Sequence, residues 1–213
     1  MTNTTFLDEE ALPEWCYDFA VNFKENCPDC DSLAGEPHNE GCDIERCSQC
    51  FRQRVICECL DHNPIHAVWT GSWPLKKNVE LSKQLRSNGK VEIETSYCYN
   101  NSFSLLMQGV VANATYVEGY VLFRERWGTP HGWLEVDDQI VDATLPWQGR
   151  QYLPVLRFKG QQHLSKGLQI PRNGGRTELP IYERFRWGNS LPGFVAATEA
   201  TKRHMNLPRE SRS

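Results

Sequence analysis

The chain has 213 residues, 39% of them hydrophobic, and a formal charge of −4. That is enough apolar material for a real core in one or two domains. No apolar run reaches the ~18–20 residues that cross a bilayer, so no membrane partner is expected, and the opening residues Met1–Glu10 show neither the basic nor the apolar region of a secretory leader. The Asn-x-Ser/Thr matches at Asn3, Asn100 and Asn113 therefore read as chance.

The modest net charge hides an asymmetry. Residues 1–60 hold 4 Lys or Arg against 13 Asp or Glu, a balance of −9, and the remainder balances at +5. Phosphate binding needs clustered basic residues, so the front of the chain is not expected to read nucleic acid.

In chain order, Trp15, Phe19, Val21 and Phe23 lie among acids, which predicts a short amphipathic helix over Pro13–Glu25. Residues 27–59 hold seven of the nine cysteines and almost no apolar periodicity, so they cannot fold without staples. Residues 60–76 read as a linker anchored by Trp69 and Trp73. The expected division is 1–74, 75–200 and a polar tail over 201–213.

The second part changes character. Val79–Arg86 predicts a short helix stopped at Ser87-Asn88-Gly89, and Cys98–Val111 predicts a buried helix. Strands are expected over Tyr116–Phe123, Gly132–Val136, Gln139–Thr144 and Val155–Phe158, with Asp137-Asp138 as a tight hairpin turn. A helix followed by consecutive antiparallel strands defines an α+β fold.

An odd cysteine count with two Cys-x-x-Cys pairs points to metal binding plus leftover thiols, Cys16 and Cys98, in a reducing, cytoplasmic setting. Zinc takes four thiolate or imidazole ligands in a tetrahedron, and eight candidates fill two sites: Cys27, Cys30, His38 and Cys42, then Cys47, Cys50, Cys57 and Cys59. One site built from the two Cys-x-x-Cys pairs, or a crossed pairing, satisfies the spacing equally. A grouping of Cys47 and Cys50 with His62 and His66 is disfavoured by Pro64 between the histidines. Closed four-ligand sites hold shape and do no chemistry, so one or two structural zinc ions are expected. The run from Cys27 to Cys50 resembles a small Cys/His module of bacterial and phage or plasmid proteins, over residues 27–73, and implies such a source.

Three further pieces carry chemistry. Cys98 opens the apolar helix, where the macrodipole and free N–H groups favour a thiolate and can hold an oxyanion. His131 heads a strand and is placed to take the thiol proton, with Trp133 on its side as a shield. A regular hairpin turning at 137–138 pairs 136 with 139 and 133 with 142, which brings Asp142 to the His131 end as an orienter of the imidazole. Tyr120, Trp127 and Trp147 are candidates for cleft walls.

A cysteine opening a helix, then His-small-Trp on a strand, then Asp-small-Thr on the next, resembles the transglutaminase-like core shared with papain-type and arylamine-acetyltransferase enzymes, over residues 78–146. The resemblance implies Cys98 as nucleophile, His131 as general base and acid, and Asp142 as orienter. It implies acyl transfer from a protein or peptide substrate through a Cys98 thioester, as in peptidases, deamidases or transglutaminases. Gly132 stands where that core usually has Ala, Ala143 where it has Pro, and Glu92 where papain-like enzymes place an oxyanion-binding Gln, which leaves Tyr97 or a backbone amide for that task. The competing expectation is a non-catalytic, zinc-containing protein-binding or inhibitor protein.

Overall fold

The structure is a computed structural model that describes residues 24–50, 52–122, 129–146, 151–168 and 179–181. The Pro13–Glu25 helix, Cys16, Trp127, Trp147 and the polar tail lie outside the described residues, save 24 and 25, which are not helical.

The architecture is α+β. A five-stranded sheet is built from β1 (Lys76–Lys77), β2 (Thr115–Leu122), β3 (Thr129–Val136), β4 (Gln139–Val141) and β5 (Gln151–Lys159), in the order β1-β4-β3-β2-β5. All neighbours are antiparallel except β1 and β4. Among the described residues three α-helices join it: α1 (Val79–Ser87), α2 (Cys98–Met107) and α3 (Gly160–Leu168).

Local chemistry explains the boundaries. The Asn78 side chain caps α1 by accepting from Leu81 N at 2.9 Å. Helix α2 was expected to reach Val111 but stops at Met107. Gly109 takes φ +66, and the amides of Val110 and Gly109 bond back to Leu105 and Leu106, the double bond of a Schellman stop. Asp137 and Asp138 both adopt left-handed backbone, φ 47 and 56, which a two-residue hairpin turn demands. The β3–β4 register pairs Val136 with Gln139 and Leu134 with Val141. Strand β4 ends three residues earlier than expected, because the chain turns there around the Asp142 carboxylate, which accepts from Thr144 N and Leu145 N at 3.0 and 2.9 Å. Helix α3 and the two-residue β1 had no counterpart in the sequence reading. Strand β5 runs longer at both ends than expected and absorbs Pro154 at a register shift opposite Gly119, on an edge strand where the missing N–H is tolerated.

The buried positions of α2, Cys98, Asn101, Ser102, Leu105 and Leu106, form one continuous stripe. Leu105 and Leu106 join Tyr116, Leu134, Leu156, Phe158 and Leu164 in the main core. Val117, Val121, Trp133, Ile140 and Tyr152 form a second core on the opposite sheet face. The helix reaches the sheet at Gly132. A Cβ there would stand 2.7 Å from the Tyr99 ring and 3.0 Å from Tyr99 Cα, so the missing methyl allows α2 to rest on the β3 backbone. Ser102 Oγ donates to the Gly132 carbonyl at 3.0 Å and fixes the contact.

The Cys/His-rich segment has its own small core of Cys27, Cys42, Ile44 and Trp69. Residues 67–70, read from the sequence as linker, are buried in it. Trp69 N donates to Glu36 O, Gly35 N donates to Trp69 O, and Trp69 Nε1 donates to Lys24 O. Trp73 is exposed. This segment meets the sheet through Gln151, whose side-chain amide accepts from Val68 N at 3.1 Å and donates to Val68 O. Between the two lies a cleft, with Val68, Trp69 and Trp73 on one side and Trp133, Tyr152 and Arg157 on the other.

Gly132→Ala should destabilise the protein by about 1–3 kcal/mol through overpacking against Tyr99, read as a lower denaturant midpoint at unchanged slope. A midpoint equal to wild type would show that α2 does not rest on this strand.

Candidate active site and metal centres

The fold brings Cys98, His131 and Asp142 to one place. His131 Nε2 lies 3.0 Å from Asp142 Oδ2, and the two side chains are 4% and 0% exposed. That leaves Nδ1 as the nitrogen available to the thiol. Cys98 itself is buried in the first turn of α2, close enough to the same imidazole to raise its proton affinity. Trp133 stacks on His131, with ring centroids 6.5 Å apart and planes at 16°, and closes that side to water. Gly119 makes room for it, since a Cβ there would stand 2.8 Å from the Trp133 ring.

Asp142 is the most heavily bonded group of the set. Oδ1 accepts the two turn amides, and Oδ2 accepts from His131 and from the Tyr152 hydroxyl at 2.6 Å. Burial alone would raise this carboxyl. The charge and hydrogen bond of His131, with Lys77 and Tyr152 beside them, overcome burial and hold it well below the ordinary carboxylate range. For His131 burial works downward, but the Asp142 carboxylate, and after it Cys98, push the imidazole up to about 9. An imidazolium facing a sulfur is thus the favoured charge state of this ring near neutral pH.

Polar residues outside the Cys98, His131 and Asp142 set hold the parts in register. Asn101 is 3% exposed. Its amide donates to Glu94 O at 2.7 Å and to Thr144 Oγ1 at 2.9 Å, and its carbonyl accepts from Glu94 N at 3.2 Å. It therefore ties the loop before Cys98 to the turn that carries Asp142. Ser82 of α1 accepts from Asp142 N at 3.0 Å and donates to Asn78 O at 2.6 Å. The signal for Asn101 was present: it stands three residues after Cys98, on the stripe that ends in Leu105.

The loop into α2 has Ser96 at φ 72, and the N-cap, Tyr97, offers no side-chain acceptor to the first turn. With no side-chain cap and no acidic residue in that turn, its amides are chemically suited to an anion. Glu92 is exposed, and Tyr120 packs at the margin of the helix-side core.

The eight candidate metal ligands fall into two clusters, Cys27, Cys30, His38 and Cys42, then Cys47, Cys50, Cys57 and Cys59, whose ligand atoms all lie within 4.8 Å of one another. In the first, Cys27 Sγ and Cys42 Sγ are 3.7 Å apart, and His38 Nδ1 is 3.4 Å from Cys30 Sγ and 3.2 Å from Cys42 Sγ. In the second, Cys50 and Cys57 sulfurs are 3.4 Å apart. Metal–sulfur bonds of about 2.3 Å in a tetrahedron place sulfurs about 3.8 Å apart, so both sets fit such an ion with little movement. Burial keeps His38 well below its ordinary value, at about 4, hence in the neutral form that ligates. His62 belongs to neither set: Nδ1 accepts from Ser48 N and Nε2 faces Glu45 at 2.9 Å.

No protein-family model matches this chain, and no curated protein or solved structure is found to be similar to it. Among the described residues no helix is long and apolar enough to cross a membrane.

Purified protein should carry two divalent metal ions per chain. Cys27→Ser and Cys57→Ser should each remove one, and chelation should unfold residues 24–73 as read by amide exchange; metal-free protein that keeps its fold would refute both sites. The raised His131 value gives a second prediction. Its contribution to stability is complete below its unfolded value of 6.5 and is lost as pH rises through about 9. The denaturant midpoint should therefore fall between pH 6.5 and 9 in wild type, and fall much less in His131→Ala.

Proposed function

We propose that this chain is a cysteine-dependent acyl-transfer enzyme of the peptidase, deamidase or transglutaminase type. It works on a protein or peptide substrate, on a papain- or transglutaminase-like core stapled by two structural zinc ions. The observation that carries the reading is the bridging position of His131. One ring nitrogen is spent on a buried, ionised carboxylate, and the ring interacts with Cys98 at a helix start.

In this reading the Cys98 sulfur, as thiolate, attacks the carbonyl carbon of an amide, and the developing oxyanion meets the first-turn amides of α2. His131 then gives its proton to the departing amine as the C–N bond breaks, which leaves a thioester on Cys98. Neutral His131 next takes a proton from water or an incoming amine, whose attack releases the acyl group and returns the sulfur. Asp142 keeps the imidazole in one orientation throughout, and Asn101 keeps the sulfur and the carboxylate in register. Both metal clusters are closed four-ligand sets, so a zinc ion there supplies shape to the Cys/His segment and takes no part in these steps.

A second reading, a binding protein without catalysis, draws on the tip of the Cys/His segment, where Val55, Ile56 and Leu60 are 46%, 70% and 98% exposed. Alkylation separates the two. Native, metal-loaded protein treated with iodoacetamide at pH 6 and analysed by peptide mass should be modified first at Cys98, and His131→Ala should slow that modification at least about tenfold. Equal rates in both proteins would leave the binding reading.

A further inference from the structure

Asp142 is compensated more fully than the orientation of one imidazole requires. The Tyr152 hydroxyl that donates to its Oδ2 at 2.6 Å accepts in turn from Lys77 Nζ at 2.7 Å. The same nitrogen stands 4.0 Å from Asp142 Oδ2, and the lysine and aspartate side chains are 3% and 0% exposed. Lys77 also donates to the Leu145 carbonyl, in the turn that wraps Asp142. It arrives on β1, which among the described residues pairs only with β4, at Gln139 and Ile140. Desolvating an ammonium is expensive, and a side chain needed only to fill space would be apolar.

We propose that Lys77 and Tyr152 form a counter-ion arm that sets how tightly His131 holds its proton, and so the pH range in which the Cys98–His131 pair is charged. The inference rests on the reading of this site as a Cys–His–Asp triad. A buried carboxylate facing an imidazole alone would bind the imidazolium so firmly that the ring could not give its proton up and act as a base in the second half of acyl transfer. Tyr152 occupies part of Oδ2, and the Lys77 cation offsets the carboxylate charge and repels the imidazolium. Both effects lower the proton affinity that Asp142 would otherwise impose. The Asp142 charge is then balanced by Lys77 as well as by the imidazolium.

The other ionisable groups nearby are placed on different elements. Arg86 of α1 donates to the carbonyls of Ala143 and Thr144 at 3.3 and 2.7 Å. Cys98 and Tyr99 approach from α2, and Glu118 of β2 is engaged by the Tyr116 hydroxyl at 2.9 Å and by Ile181 N at 2.8 Å. Substitutions in the arm act on His131 through the Tyr152 hydroxyl and Asp142 Oδ2 contacts just described.

The test is an imidazole NMR titration of full-length, histidine-labelled protein in a Cys98→Ser background, which removes the overlapping thiol. Tyr152→Phe and Lys77→Met should each move the His131 midpoint upward, by about one unit. Lost packing would instead loosen the ring toward an ordinary value, which is a downward move. A midpoint that stays put or falls in Tyr152→Phe overturns the proposal, and this variant decides alone if Lys77→Met does not fold. The titration uses no substrate. Shifted midpoints without any acyl-transfer activity would keep the arm and defeat the enzyme reading. Unshifted midpoints with His131-dependent alkylation would keep the triad and defeat the arm.

Discussion

The arrangement around Asp142 is the constraint on which the rest of this molecule depends. An ionised carboxylate with no exposure is unfavourable in a protein interior unless every lone pair is met and an opposite charge is near. Here the partners come from five places in the chain. They are Lys77 on β1, His131 on β3, Tyr152 on β5 and the two amides of the turn after β4, with Ser82 of α1 holding the aspartate's own backbone. Removing any one leaves a buried charge partly unmet, so the elements that supply them are bound to one another through it. The same set of bonds aims the imidazole, so that in this fold the stability of the core and the geometry of the site are one problem.

The sequence made the ends of this problem visible and hid its middle. Cys98, His131 and Asp142 stood out because each sits near a readable landmark: a helix start, the first residues of a strand, and the end of a hairpin whose register is set by two aspartates able to turn left-handed. The two metal clusters were visible because ligand spacing in an apolar-poor segment leaves few other ways to fold, although spacing alone could not choose their pairing. The supporting residues were hidden for a physical reason. Asn101, Ser102, Ser82 and Lys77 occupy buried positions that a reading of apolar periodicity assigns to the surface, because polarity is the only signal it uses. Each has a partner 30 to 75 residues away in the chain, beyond any local pattern. Helix α3 was missed because glycines weaken its pattern. One of them, Gly167, is there to let Phe158 pass within 2.6 Å of where a Cβ would be.

The Cys/His segment and the sheet are joined at the rear of this site. Gln151, which grips the Val68 peptide with both ends of its side-chain amide, immediately precedes Tyr152, and Trp69 and Val68 form the wall opposite Trp133. The two aromatic side chains that contact His131 and Asp142 are thus covered from behind by a segment too poor in apolar residues to hold itself together without metal. The staples of one half therefore bear on the order of the other.

The pairing of β1 with β4 has a consequence for how the chain is assembled. The β3–β4 hairpin is local and can form early, whereas Lys77 reaches Leu145 and Tyr152 only by closing loops of 68 and 75 residues. The cation is therefore among the last groups to arrive. The completion of the charge balance around Asp142 is thus tied to the closing of these long loops.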